Sequence, residues 1–134
     1  LSAAICLFVL DYIERNEVLR NTRERGDELR AALGALSQRH PCMVDVRGRG
    51  LLWGFELVRD RATRLPFEAR QNAAGALVSI CRDRGLVVSP AGIAPFNNAI
   101  ILAPPLIVTS DHITELTDKL GESLFEFEKL AARM

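Results

Sequence analysis

The sequence predicts an α/β (α+β) domain: a small, mostly antiparallel sheet with helices packed on one face. Three observations carry that expectation. Long helical periodicities occupy both ends of the chain, with short apolar runs between them. The stretch from Val44 to Val58 reads as two strands meeting at a glycine-marked bend, Gly48-Arg49-Gly50. After the bend, helix alternates with short apolar strand, so the order is helix, helix, strand, strand, helix, strand, strand, helix. A two-stranded ribbon is marginal by itself, so this pair needs further strands and a helical cover.

The elements follow in order. Ser2 to Asn16 is a helix that is apolar on nearly every side, with polar residues (Asp11, Glu14, Arg15) only near its end. Such a helix is normally covered on several sides, and one small domain has too few layers to do so. Val18 to Arg39 is a second helix with an apolar stripe of Leu19, Leu29, Leu33 and Leu36. Arg23 and Asp27 are spaced to pair, as are Arg20 and Glu24. Gly26 and Gly34 weaken its interior slightly, and His40-Pro41 ends it. His40 reads as a cap or surface residue.

Cys42 to Arg47 and Leu51 to Val58 are the two strands, and Arg59 to Pro66 is a solvated loop. Phe67 to Arg84 is the third helix, closed by Gly85. Leu86-Val87-Val88 is a short strand, Ser89 to Asn98 a long loop, and Ala99 to Leu102 the last strand. Pro104-Pro105 excludes the next segment from a central strand. Thr109 or Ser110 caps the last helix, whose inward residues are Ile113, Leu116, Leu120, Leu124 and Phe127.

The 134 residues fit one domain, and a chain of this size buries about two-thirds of its unfolded surface. Hydrophobic residues make up 49% and charged residues 25%, which places the chain with folded globular domains. Seventeen basic and 17 acidic residues cancel, which argues against a dominant pull on nucleic acid or an anionic membrane. With one Trp and one Tyr beside six Phe, a base-stacking platform is poorly supplied. Cys6, Cys42 and Cys81 show no metal-ligand spacing and read as buried free thiols in a reducing, cytoplasmic compartment. The apolar opening, Leu1 to Leu10, has no basic segment before it and is broken at Asp11, short of a membrane span. The chain reads as starting inside a helix, with a larger body before it.

The chemistry-bearing motifs are few. There is no Gly-x-Gly-x-x-Gly, no P-loop and no HExxH, and no Ser or Cys sits near a His in a triad pattern. Glu56 reads as a paired structural carboxylate in an apolar strand, and His112 as a solvent-facing residue of a first helical turn. The only lysines, Lys119 and Lys129, lie on the terminal helix and look like surface residues. Covalent amine chemistry needs an amine placed in a pocket. No catalytic, cofactor-binding or metal-ligating residue is therefore assigned.

Two long segments carry a resemblance. Val46-Arg47-Gly48-Arg49-Gly50-Leu51-Leu52-Trp53-Gly54-Phe55-Glu56-Leu57-Val58 resembles the VRGxGLxxGxELV segment of class III aminotransferases, which are fold-type I, pyridoxal-phosphate-dependent enzymes. Ile101 to Thr109 resembles their R-[IL]-x-P-P-L-x-[IV]-T segment, and Leu1-Ser2-Ala3-Ala4 the tail of their NPLA-x-A stretch. The resemblance implies that residues 17–134 are the carboxyl-terminal small domain and residues 1–16 the end of an inter-domain helix. It implies a large amino-terminal domain carrying the aldimine lysine, and a homodimer with active sites at its interface. The implied reaction moves an amino group between an amine or amino acid and a keto acid or aldehyde, with pyridoxal phosphate as cofactor. The fragment would supply closure and specificity and be inactive alone. Alternatives are aminomutase, racemase or decarboxylase chemistry on the same fold, or a non-catalytic protein-interaction domain.

The substrate-side candidates implied are Gly92, in the loop that approaches the active-site mouth, Ile101 and Arg49. Many family members have an arginine for a substrate carboxylate where Ile101 stands. Isoleucine offers no such fork, which argues against an ornithine-like or acetylornithine-like specificity.

Overall fold

In the computed structural model, which describes residues 1–92 and 97–134, an antiparallel sheet carries helices on one face. The helices are α1 (Ser2–Arg15), α2 (Val18–Arg39), α3 (Ala73–Asp83) and α4 (Ser110–Ala131). The strands are β1 (Met43–Arg49), β2 (Leu52–Asp60), β3 (Leu65–Pro66), β4 (Ser89–Ala91) and β5 (Ala99–Leu102). The strand order is β1-β2-β5-β4, β3 pairs with the far end of β2, and every pairing is antiparallel.

The β1–β2 hairpin turns on Gly50, whose φ of +57° is cheap only without a Cβ. Gly48 has ordinary backbone angles but a different need: a Cβ there would lie 2.3 Å from the Leu52 carbonyl oxygen and 2.6 Å from the Trp53 ring. Trp53 Nε1 donates to the Gly50 carbonyl at 2.7 Å and locks the turn. Between Val44 and Arg47 the register slips, so that Asp45 and Val46 together face Phe55.

Strand β2 alternates as a half-buried strand should. Trp53, Phe55 and Leu57 are buried against the helices, while Leu52 is 60% exposed on the other face. The core joins these to Leu29, Leu33 and Leu36 of α2, Leu77 and Cys81 of α3, and Leu120, Leu124 and Phe127 of α4. Helix α4 packs against both α2 and α3, and Phe127 meets Phe67 edge-on at 5.7 Å. Thr109 caps α4: its hydroxyl accepts from the His112 backbone N–H, and the exposed His112 ring accepts from the Thr109 N–H at 3.1 Å.

Several local expectations are corrected. Leu86 to Val88 is not a strand; the pairing segment is Ser89–Ala91, inside the expected loop. Pro90 is tolerated there because β4 is at the edge of the sheet. The third helix begins at Ala73, not Phe67: Ala69–Gln71 form a separate 3₁₀ turn, and Asn72 at φ +45° breaks the path. Strand β2 runs on to Asp60, and the presumed loop after it contains β3. Arg23 and Asp27 do not pair, and Asp27 lies 3.8 Å from Arg30; Arg20 does pair with Glu24 as expected (3.8 Å), and more closely with Glu17 (2.7 Å).

His40 does cap the end of α2, but it is buried rather than superficial, and Cys6 is exposed rather than buried, because α1 has no buried residue at all. Cys42 and Cys81 are buried free thiols. Among the described residues, no helix is long and apolar enough to cross a membrane.

Candidate functional site: the sheet face away from the helices

The motif residues converge on the sheet face that α2, α3 and α4 leave uncovered. Residues directly opposite in antiparallel strands share a face. The register therefore lines up Arg47 (β1), Gly54 (β2), Ile101 (β5) and Ser89 (β4) in one row across the sheet. The next row toward the hairpin turn on this face holds Arg49 opposite Leu52. In the other direction Glu56 lies opposite Ala99, which lies opposite Ala91. Ile101 is 38% exposed, so its side chain offers an apolar contact in the middle of the row.

The charged members of this face are largely engaged with one another. Arg47 donates to Glu56 at 2.7 Å and also pairs with Asp45, which the register slip turns toward it at φ +53°. The hydrogen bond to Glu56, with the two carboxylates nearby, holds the Arg47 guanidinium even more firmly protonated than usual. Glu56 is thus the paired structural carboxylate expected of it. Arg49 has no carboxylate within 4.0 Å among the described residues. A cleft of about 250 Å³ lies beside Glu56, bordered by Asp45, Arg64, Asn98 and Ala99.

The three sequence candidates sit at different places. Ile101 is central to the row, Arg49 lies at the hairpin end, and Gly92 follows β4 with φ +99°, a left-handed position suited to glycine. Gly92 leads into Ile93–Phe96, so the middle of the expected mouth loop lies outside the described residues.

A second polar group was not legible locally. His40 Nδ1 lies 3.2 Å from Glu128 Oε2, across 88 residues of sequence. Cys42 is adjacent, and burial, together with the Glu128 carboxylate, pushes its thiol far above the usual range. Arg61 donates to the carbonyls of Ser37 at 2.8 Å and Met43 at 3.1 Å. It therefore ties the end of α2 to the start of β1, a role that a run of loop arginines does not announce. The two lysines are also engaged: Lys119 with Glu115 at 2.6 Å, and Lys129 over the Phe125 ring at 4.1 Å.

The sequence pattern of the family described as aminotransferase class-III matches residues 1–124. The chain belongs to the class-III aminotransferase family. This class-III chain is 37% identical over 114 residues to the hypotaurine/taurine–pyruvate aminotransferase of Paracoccus denitrificans, with 84% of the chain and 24% of that protein covered. Its fold superposes on a transaminase from the marine bacterium Virgibacillus with a TM-score of 0.90 at 26% identity, covering 96% of this chain and 29% of that one. It also matches the PMP-bound form of an aminotransferase from Vibrio fluvialis, with a TM-score of 0.84 at 27% identity, covering 94% of this chain and 26% of that one. The class-III chain thus spans about a quarter to three-tenths of the length of these relatives.

Proposed function

We propose that this class-III chain is the carboxyl-terminal small domain of a pyridoxal-phosphate-dependent transaminase. Residues 17–134 form that domain, and residues 1–16 are the end of an inter-domain helix. The parent works as a cytoplasmic homodimer and moves an amino group between an amine or amino acid and a keto acid or aldehyde. The observation that carries the reading is α1. In a family member, a helix of mostly apolar residues with Ile5, Leu7, Phe8 and Leu10 each at least 55% exposed calls for a covering body. A large amino-terminal domain is that body.

Among the described residues, neither lysine is placed to anchor the cofactor. Lys119 is ion-paired with Glu115 and Lys129 lies against Phe125, and both stand on one helix. The bound cofactor supplies an electron sink, and the lysine that anchors it belongs to the large domain. This chain's share is shape and polarity over the substrate. Ile101 presents an apolar surface, Arg47 is neutralised by Glu56 and Asp45, and Gly92 shapes the loop at the mouth. Among the described residues, Arg49 at the hairpin end and Arg64 beside Glu56 are the cations of this face without a carboxylate partner. The substrate end that meets the Ile101 row is accordingly uncharged.

The test is an absorbance titration of the purified chain with pyridoxal phosphate. Only slow, unsaturable reaction of surface lysines is expected. A saturable band at one cofactor per chain would overturn the assignment of the anchoring lysine to another domain.

A further inference from the structure

We propose that the groove between α2 and the β1–β2 turn binds a small, multiply charged oxyanion. The groove is the largest cavity among those described, at about 690 Å³. Gly26 shapes it: a Cβ there would lie 2.4 Å from the Gly50 carbonyl oxygen, so the helix and turn backbones are in direct contact beneath the opening. Arg23, Arg30 and Arg49 border it, against one carboxylate, Asp27.

Arg23 and Arg30 are seven residues apart on α2, two turns along one helix face, and Arg49 borders the same groove from the hairpin end. Asp27 stands 3.8 Å from Arg30, which leaves Arg23 and Arg49 with no carboxylate within 4.0 Å among the described residues. The chain is neutral as a whole, so a local excess of two positive charges is a feature of this groove rather than of the surface at large. Guanidinium groups bind phosphate and carboxylate oxygens through paired N–H donors, and several around one opening favour a ligand with at least two negative charges. This reading does not depend on the transaminase assignment, because it uses only groups this chain supplies.

The only tryptophan, Trp53, lines the groove and reports on it. Pyrophosphate and citrate are titrated into the full chain while Trp53 emission is followed, against sodium chloride at matched ionic strength. The expected result is a saturable change with at least one of the two anions and none with chloride. Arg23→Gln should weaken that binding about fivefold, and Asp27→Asn should tighten it about threefold, as expected for single partly exposed charges. Both side chains are exposed, and unchanged circular dichroism verifies that each variant folds. A response to neither anion beyond that of chloride, or one unaffected by both substitutions, would overturn the proposal. Stronger binding of pyrophosphate assigns the groove to phosphate compounds, and stronger binding of citrate to polycarboxylates.

Discussion

Helices α1 and α4 are both rich in apolar residues, yet they end in opposite environments. In α4, Leu120, Leu124 and Phe127 are completely buried between α2, α3 and the sheet. In α1, no residue is buried, and Phe8 is 69% exposed. The difference lies in spacing and partners. Helix α4 gathers most of its apolar residues into one buried stripe, leaving Phe125 and Leu130 outside it among Glu, Lys and Asp. Helix α1 spreads them around its circumference and packs mainly along α2. Apolar content makes a helix eligible for burial, but a facing surface has to accept it.

Substitutions can break this contrast directly. Phe127→Ala should destabilise the chain by about 3–5 kcal/mol, whereas Phe8→Ala should change it by less than about 0.5 kcal/mol. Urea unfolding at neutral pH measures both. A comparable loss at Phe8 would mean that α1 is packed in solution.

The same comparison can be sharpened within a single helix. Gly26→Ala forces a methyl group against the Gly50 backbone, and should cost about 1–3 kcal/mol. Gly34→Ala meets open space and should stabilise α2 by about 0.5–1 kcal/mol. Opposite signs in the unfolding midpoints confirm that tertiary contact, not helix propensity, decides the outcome at Gly26.

The thiols extend the contrast to reactivity and pH. Cys6 should react with a thiol reagent at once, while Cys42 and Cys81 should react only on unfolding. Burial and Glu128 raise the Cys42 thiol above its unfolded value. Its contribution to stability is therefore complete below about pH 8.5 and is lost progressively as the unfolded thiol ionises above it. Melting of wild type and Cys42→Ala between pH 7.5 and 10 tests this. The wild type should lose more stability over that range than the variant. The smallest effect is expected on the outer sheet face. Glu56→Gln removes the main partner of the exposed Arg47 and should cost about 0–1 kcal/mol.

The elements built on local repetition were legible without any structure. The stripes of α2 and α4 follow from spacing near 3.6, except that Leu19 of the expected α2 stripe is 59% exposed, and β2 follows from its dense run of apolar, β-favouring residues beside the glycine-marked bend. Antiparallel pairing with helices on one face followed from their order. The misread stretches are those where two local choices are nearly equal. Leu86-Val87-Val88 has strand chemistry, but the neighbour that decides is β5, whose open edge pairs with Ser89–Ala91 and leaves Val87 86% exposed. Phe67 looked like the start of a helix, but it is drawn beneath Phe127 as a core residue, and the helix restarts after Asn72.

The candidate site divides in the same way. Glu56 announced its need for a partner because a carboxylate in an apolar strand rarely stands alone, although only the β1–β2 register shows that Arg47 meets it. His40 gave no such signal, since its partner Glu128 lies 88 residues away on α4. What the sequence by itself determined was the type and order of the main elements, because backbone and side-chain preferences act over a few residues. What only the tertiary structure decided was which backbones touch and which charges meet. Those outcomes depend on long-range pairing energies that no window of sequence contains.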